Sequence, residues 1–150
     1  MIDLFMLAAL DRQKSNLTTL SCQIDKDLKK QIVQIYYDWV SKSRTHDIFS
    51  MLRLVVPSSD FEKMTIKCKD SWESGKELYY SFNSVEVEYT EKNPSDAIIY
   101  GNWELYQGQS VSICKGGFYS SAKPIDGKYY GNKWKLNDMT SNLNENWWKE

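Results

Sequence analysis

Few side chains in this sequence could carry metal or acid–base chemistry. His46 is the single histidine, and Cys22, Cys68 and Cys114 lie far apart with no C-x-x-C pair. A zinc site would need ligands brought together from distant positions, so no metal and no cofactor are expected. His46 stands at the start of a predicted helix, where a surface or capping role is expected rather than a catalytic one.

Asp138 is a carboxylate among large apolar residues. It alternates with Trp134 and Leu136 in a predicted strand, so the three side chains should share one face. If that face is the core, Asp138 points inward among aromatic walls, where burial would raise its pKa. The alternative, that Asp138 faces solvent beyond the end of the strand, is equally open.

Composition and charge narrow the class of protein. The chain has 150 residues, with 19 basic and 20 acidic side chains and a net charge of −1. One domain is expected, and there is no basic excess for binding nucleic acid. The apolar run from Leu4 to Leu10 is too short to cross a membrane, which takes about 20 residues. Together with an odd cysteine count, this predicts a cytoplasmic protein.

The predicted helices come first in the chain. An amphipathic helix is predicted from Ile24 to Ser41, with apolar residues in steps of three and four. A polar break follows, and then a shorter helix from His46 to Leu54, which Pro57 ends. Ser59 and Glu62 have the spacing of a capping box, which predicts a further helical turn.

Strands are predicted for most of the remaining chain. Alternating apolar residues predict a strand over Met64–Cys68. The pattern does not decide whether Leu78–Phe82 is a helix or a strand. The other predicted strands and turns are Val85–Tyr89, Ala97–Tyr106, Val111–Tyr119 broken at Gly116–Gly117, a turn at Ile125–Lys128, and Trp134–Met139. Gly101, inside a strand, predicts a bulge or a close approach of another backbone.

Helices followed by consecutive antiparallel strands predict an α+β fold, with N-terminal helices packed on a strongly curved sheet. Such a sheet would form a cone with an apolar pocket at its open end. The predicted single domain covers residues 1–150, with an N-terminal extension over 1–23, the core over 24–142 and a tail over 143–150.

Three segments resemble the NTF2-like superfamily, which has a cystatin-like cone fold and includes ketosteroid isomerases and SnoaL-like cyclases. Val33–Trp39 followed by Asp47–Leu52 is similar to the opening helix pair of that family. Ala97–Trp103 is similar to its central strand. Asp126–Gly127 with Trp134–Leu136 is similar to its closing hairpin, although Lys128–Lys133 is inserted where the family usually has the two parts adjacent.

The resemblance implies candidate catalytic residues. In ketosteroid isomerases a tyrosine of the opening helix donates a hydrogen bond to an enolate, and an aspartate moves the proton. Tyr36 matches the tyrosine, Asp60 lies roughly near the aspartate, and Asp138 is a further candidate. The competing interpretations make Tyr36 a core residue with a partner for its hydroxyl, and Asp60 part of a helix cap. The dehydratases of the superfamily use an Asp–His dyad, and Asp47 does not face His46 on a helix.

Aromatic residues supply two further sets of candidates. The set predicted to line a ligand pocket is Tyr36, Trp39, Trp103, Trp134 and Asp138. The set predicted to bind a partner protein is Tyr100, Tyr106, Tyr129, Tyr130, Trp147 and Trp148.

Two functions are consistent with these residues. The first is a non-catalytic NTF2-like binding protein, for example an immunity protein that neutralises a cognate toxin, or a module that pairs with itself as a homodimer. The alternative is a small-molecule isomerase or cyclase, or a carrier of an apolar ligand, that uses the cone pocket. If Trp39, Trp103 and Trp134 fill the cone, the enzyme hypothesis fails.

Overall fold

The computed structural model describes residues 26–88, 97–124 and 134–141. The chain falls into two compact units, Met1–Gln31 and Ile32–Glu150. The described residues of the first unit, 26–31, are helical. All the contacts described below lie within the second unit. The predicted N-terminal extension, the Ile125–Lys128 turn and the tail fall outside the described residues.

Helix α1 covers residues 26–44, so it continues past the break predicted after Ser41. The buried residues Ile32, Tyr36 and Trp39 continue to Ser43, which is also fully buried. The steps of four, three and four keep all of them on one face of the helix. The Ser43 hydroxyl donates to the Val40 carbonyl oxygen. A polar residue can therefore occupy the buried face without ending the helix.

Helix α2 covers Ile48–Arg53 and begins at an aspartate cap. The Asp47 carboxylate accepts hydrogen bonds from the Ser50 hydroxyl and the Ser50 backbone N–H. These bonds lower the pKa of Asp47. The helix ends before Pro57, as the sequence predicts.

Helix α3 covers Asp60–Glu73, where the sequence analysis predicts a strand over Met64–Cys68. That prediction is wrong, while the helix start predicted at Ser59 is confirmed, because the Ser59 hydroxyl accepts a hydrogen bond from the Glu62 N–H. Phe61, Met64, Thr65, Cys68 and Ser71 are buried at helical spacing. The apolar alternation over five residues was too short to distinguish a strand from a helix. Two other signals favour the helix: the cap at Ser59, and the absence of glycine between Ser59 and Gly75.

Four strands form one antiparallel sheet in the order β1-β2-β3-β4. They cover Leu78–Glu88, Ala97–Gln107, Val111–Pro124 and Trp134–Ser141. Leu78–Phe82, left open by the sequence, is the first half of β1. The β4 edge is extended by the segment after α2, because the Val56 N–H donates to the Leu136 carbonyl and the Leu136 N–H to the Leu54 carbonyl, both at 2.8 Å. The predicted α+β fold, helices on an antiparallel sheet, is confirmed.

The two faces of β2 differ in burial, as the alternation predicts. Ala97, Ile99, Trp103 and Leu105 are buried, whereas Ile98 and Tyr100 are exposed. We call the face that carries Ile98 and Tyr100 the outer face of the sheet.

Irregularities in strand pairing occur at three places. The pairing of β1 with β2 shifts between Phe82 and Ser84, opposite Trp103 and Asn102 and next to the Val85–Gly101 pair. A Cβ at Gly101 would overlap the Ser84 carbonyl group, so the predicted close approach of another backbone is confirmed. The predicted break of β3 at Gly116–Gly117 is wrong, because β3 is continuous there. The register shifts of β3 against β2 and against β4 lie nearer the two ends of the strand.

Replacing Gly101 by alanine should lower the free energy of unfolding by about 2–3 kcal/mol, because the new methyl group meets backbone atoms that cannot rotate away. Gly75→Ala is the matched control. Gly75 has φ +83° and open space around it, so only backbone strain of about 1 kcal/mol is expected. Urea unfolding of both variants measures the difference. Equal losses would contradict the close approach at Gly101.

Candidate functional site

Tyr36 lies on the buried face of α1 and is enclosed by aromatic rings. The ring centroids of Phe61 and Phe82 are each 5.5 Å from that of Tyr36, in edge-to-face contact. The Phe118 ring stacks at 6.4 Å. Tyr36 has no exposed area, so no water-sized space adjoins its hydroxyl.

The Tyr36 hydroxyl is held by β3. Its oxygen lies 2.7 Å from the Ser120 hydroxyl oxygen, which donates its own proton to the Asp138 carbonyl at 2.6 Å. Since a serine has one hydroxyl proton, Tyr36 must be the donor in the bond to Ser120. Burial raises the pKa of Tyr36 far above its ordinary value, partly offset by this bond. The donor that would polarise a ligand is thus already used within the protein.

Asp138 does not share the buried face of β4. It is exposed, whereas Trp134, Leu136 and Met139 are buried. The inward orientation is therefore wrong, and the reason is a bulge. Ala122 pairs with Leu136 and Ser120 with Met139, so two residues of β4 lie opposite one of β3. The extra residue shifts the alternation by one position.

Asp60 is used by the fold at the same bulge. Its Oδ2 accepts a hydrogen bond of 3.0 Å from the Met139 N–H, across from α3 to β4. The N-cap of α3 is Ser59, so Asp60 is the first residue of the helix rather than its cap. Its negative charge is also favourable in the first helical turn. Tyr36 is connected to the Asp138 carbonyl through Ser120, and Asp60 bonds directly to the Met139 N–H. Both connections are hydrogen bonds within the fold rather than contacts with a ligand.

The three tryptophans of the predicted pocket are all buried. The Trp39 Nε1–H donates to the Thr65 hydroxyl at 2.9 Å. The Trp103 Nε1–H lies 3.2 Å from both the Gly117 carbonyl oxygen and the Ser141 hydroxyl oxygen. Trp134 has only 3% of its surface exposed. All three indoles are core residues, and the N–H groups of Trp39 and Trp103 bond to the protein rather than to a free space.

A second polar cluster, which the sequence does not predict, joins His46, Glu77 and Tyr79. The Tyr79 hydroxyl donates to Glu77 Oε2 at 2.5 Å, and His46 Nε2 lies 2.6 Å from the same hydroxyl. Because the Tyr79 proton goes to Glu77, Nε2 of His46 carries the proton it donates. A proton can be held or passed along this chain of three groups.

The cluster is held together by aromatic and cationic neighbours. Trp72 stacks on His46 with 4.4 Å between ring centroids. The Arg44 guanidinium lies 4.7 Å from the Tyr79 ring centroid and 5.3 Å from that of Tyr106.

The backbone of the cluster is unusual at two residues, because His46 and Glu77 have φ of 57° and 53°. Non-glycine residues rarely adopt such angles. No motif in the sequence marks these angles, so the cluster could not be found from spacing.

The partner-binding candidates differ in their surroundings. Tyr100 is 41% exposed on the outer face, whereas Tyr106 lies beside Arg44. Tyr129, Tyr130, Trp147 and Trp148 fall outside the described residues. The sequence analysis missed Ile98 and Tyr119, although the alternation in β2 placed Ile98 on the same face as Tyr100.

The described ranges lack two other features, a metal site and a membrane-spanning helix. Residues 26–88, 97–124 and 134–141 contain no group of three side chains suited to hold a metal ion. No helix within these ranges is long and apolar enough to cross a membrane.

Solved structures with the same arrangement of elements share little sequence with this chain. An NTF-2-like protein of unknown function from Shewanella oneidensis superposes with a TM-score of 0.51 at 13% identity, covering 75% of this chain and 96% of its own. A cystatin-like-fold protein of unknown function from Nostoc punctiforme gives 0.53 at 10% identity, over 74% and 86%. A candidate calcium/calmodulin-dependent protein kinase II association domain from Xanthomonas campestris gives 0.53 at 13%, over 73% and 83%. No protein-family model and no curated protein matches the sequence.

Removing the Asp60 carboxylate should cost stability at the β4 bulge. Asp60→Ala leaves the Met139 N–H without its acceptor, so the free energy of unfolding should fall by about 1–3 kcal/mol. Asp60→Asn keeps an amide oxygen as an acceptor and should lose less than half as much. Denaturant unfolding of both variants provides the measurement, and equal stability of Asp60→Ala and the wild type would contradict the structural role.

The Tyr79 hydroxyl should make stability depend on pH in alkali. Burial, the bond to Glu77 and the charge of Glu77 raise the pKa of Tyr79 to about 12. The ordinary value is 10.0, so between pH 10 and 12 the folded state binds more protons than the unfolded state. This stabilisation is complete below pH 10 and is lost as pH rises through about 12.

Thermal unfolding between pH 9 and pH 12 measures the effect. The decline in melting temperature should be less steep in Tyr79→Phe than in the wild type. Parallel curves would show that the pKa of Tyr79 does not differ between the folded and unfolded states.

Proposed function

We propose that this protein, which has the NTF2-like fold, acts by binding another protein through the outer face of its sheet. Two features of the interior support a function carried out at the protein surface. The Tyr36 hydroxyl donates to Ser120, and the tryptophans of the predicted pocket are buried. The isomerase, cyclase or carrier alternative needs an open space beside Tyr36, so the geometry does not favour it.

The observation that carries the proposal is a cross-strand pair of exposed tyrosines. Tyr100 and Tyr119 pair between β2 and β3, and they are 41% and 64% exposed. Ile98, at 44%, lies on the same face next to Tyr100. We call these three residues the outer patch. Tyrosines at the centre of an apolar patch are typical anchors of protein interfaces.

The specific form that we propose is an immunity protein that occupies a cognate toxin. The small size and the near-neutral charge are compatible with this role, which needs recognition rather than turnover. The odd cysteine count is consistent with action in the cytoplasm. A second copy of this chain could also occupy the outer patch, which would give a homodimer.

The substitution Tyr119→Ser should weaken binding to the toxin by at least tenfold, since interface anchors contribute about 1.4 kcal/mol or more each. The toxin to test is the product of the gene next to the one encoding this protein. The matched control is Phe49→Ser, which removes an aromatic ring that is 77% exposed on helix α2 and is not part of the outer patch. The control should bind within twofold of the wild type. Isothermal titration calorimetry with each variant measures the affinity.

Light scattering of the purified protein tests self-association in parallel. A dimer that Tyr119→Ser dissociates and Phe49→Ser preserves would identify a second copy as the occupant. If no product of an adjacent gene binds and the protein stays monomeric, the proposed function is wrong. Equal effects of the two substitutions would also contradict the outer patch as the interface.

A further inference from the structure

A shallow depression of about 300 Å³ lies on the outer face of the sheet, beside the outer patch. Its position follows from Gly117, which pairs with Asn102 and has no side chain to fill the space between Asn102 and Tyr119 along the sheet. The lining residues are Ser84, Glu86, Tyr100, Gly101, Asn102, Gly117, Phe118 and Tyr119. We call this depression the Glu86 notch.

The polar groups of the Glu86 notch are mainly acceptors. Glu86 pairs across the strands with Tyr100, which in turn pairs with Tyr119, so one carboxylate and two phenol rings stand in a row. The Asn102 side-chain N–H and backbone N–H both donate to the Ser84 hydroxyl, each at 3.1 Å. The Asn102 side chain therefore has its carbonyl oxygen left to offer to a ligand.

The charge of Glu86 is not compensated by the described part of the chain. Its side chain is exposed, and no lysine or arginine within residues 26–88, 97–124 and 134–141 forms an ion pair with it. Two lysines of β3 lie on this face. Lys115 is cross-strand from Glu104 and lowers the pKa of that carboxyl, after hydrogen bonds that lower it more. Lys123 is cross-strand from Lys135 of β4. An unpaired carboxylate beside two aromatic rings favours a cation.

We propose that the Glu86 notch binds one arginine side chain of the partner protein, an inference that rests on the proposed protein-binding function. The planar guanidinium can donate two parallel hydrogen bonds to the Glu86 carboxylate. It can also stack against a tyrosine ring, which a lysine ammonium does less well. The outer patch, with its tyrosine anchors, supplies the apolar contact beside this charge.

The test uses a small probe, N-acetyl-arginine methylamide, titrated into the purified ¹⁵N-labelled protein and followed by NMR. The amide signals of Tyr100, Asn102, Gly117 and Tyr119 should shift and saturate. The neutral analogue N-acetyl-citrulline methylamide has the same shape without the charge, and it should bind at least tenfold more weakly. The corresponding lysine derivative should fall between the two.

Glu86→Gln should abolish saturable binding of the arginine probe. Glu88→Gln is the matched control, because it lies on the same face of β1 two residues along, opposite Ile98 and outside the notch. The control should keep the affinity within twofold. Equal binding of the citrulline analogue, equal loss in both variants or the absence of saturable shifts would each overturn the proposal.

The same variants separate this inference from the proposed function. If the toxin or a second copy binds at the outer patch and Glu86→Gln does not weaken that binding, the arginine proposal is wrong while the protein-binding function stands. If the arginine probe binds at the Glu86 notch but no protein partner binds, the notch stands and the proposed function is wrong.

Discussion

The bulge between β3 and β4 is the constraint on which the interior of this protein depends. Ser120 links the Tyr36 hydroxyl to the Asp138 carbonyl, and Asp60 accepts from the Met139 N–H one residue further. Three separate elements, α1, α3 and β3, are thereby tied to β4 at one place. Buried polar groups are costly unless they are paired, so the loss of any one of these bonds would leave a polar group at the bulge without its partner.

Much of the fold could be predicted because it follows from hydrophobic periodicity. The buried stripe of α1 and the alternation of β2 were visible in the sequence. The errors have physical causes that a pattern does not contain. The bulge reversed the orientation of Asp138, and five alternating residues near Met64 hid a capped helix. The His46–Tyr79 pairing depends on left-handed backbone angles, for which the sequence has no signal.

The same bonds that stabilise the interior use the hydrogen-bond donor that the isomerase hypothesis requires. A tyrosine that donates to Ser120 cannot also donate to a ligand without losing that bond, and the surrounding rings leave no space beside it. The resemblance to isomerases identified the right helix position, but in this protein that position has a structural partner. Accessible aromatic side chains include Tyr100 and Tyr119, which are exposed on the outer face.

The most direct test of this account is the exchange of the Tyr36 hydroxyl proton with water. Tyrosine labelled with ¹³C at Cζ shows two resolved signals in mixed H₂O and D₂O when its hydroxyl proton exchanges slowly. The account predicts two signals for Tyr36, held by Ser120 in the core, and one averaged signal for the exposed Tyr119. A single averaged signal for Tyr36, like that of Tyr119, would mean that water reaches its hydroxyl and would contradict a filled interior.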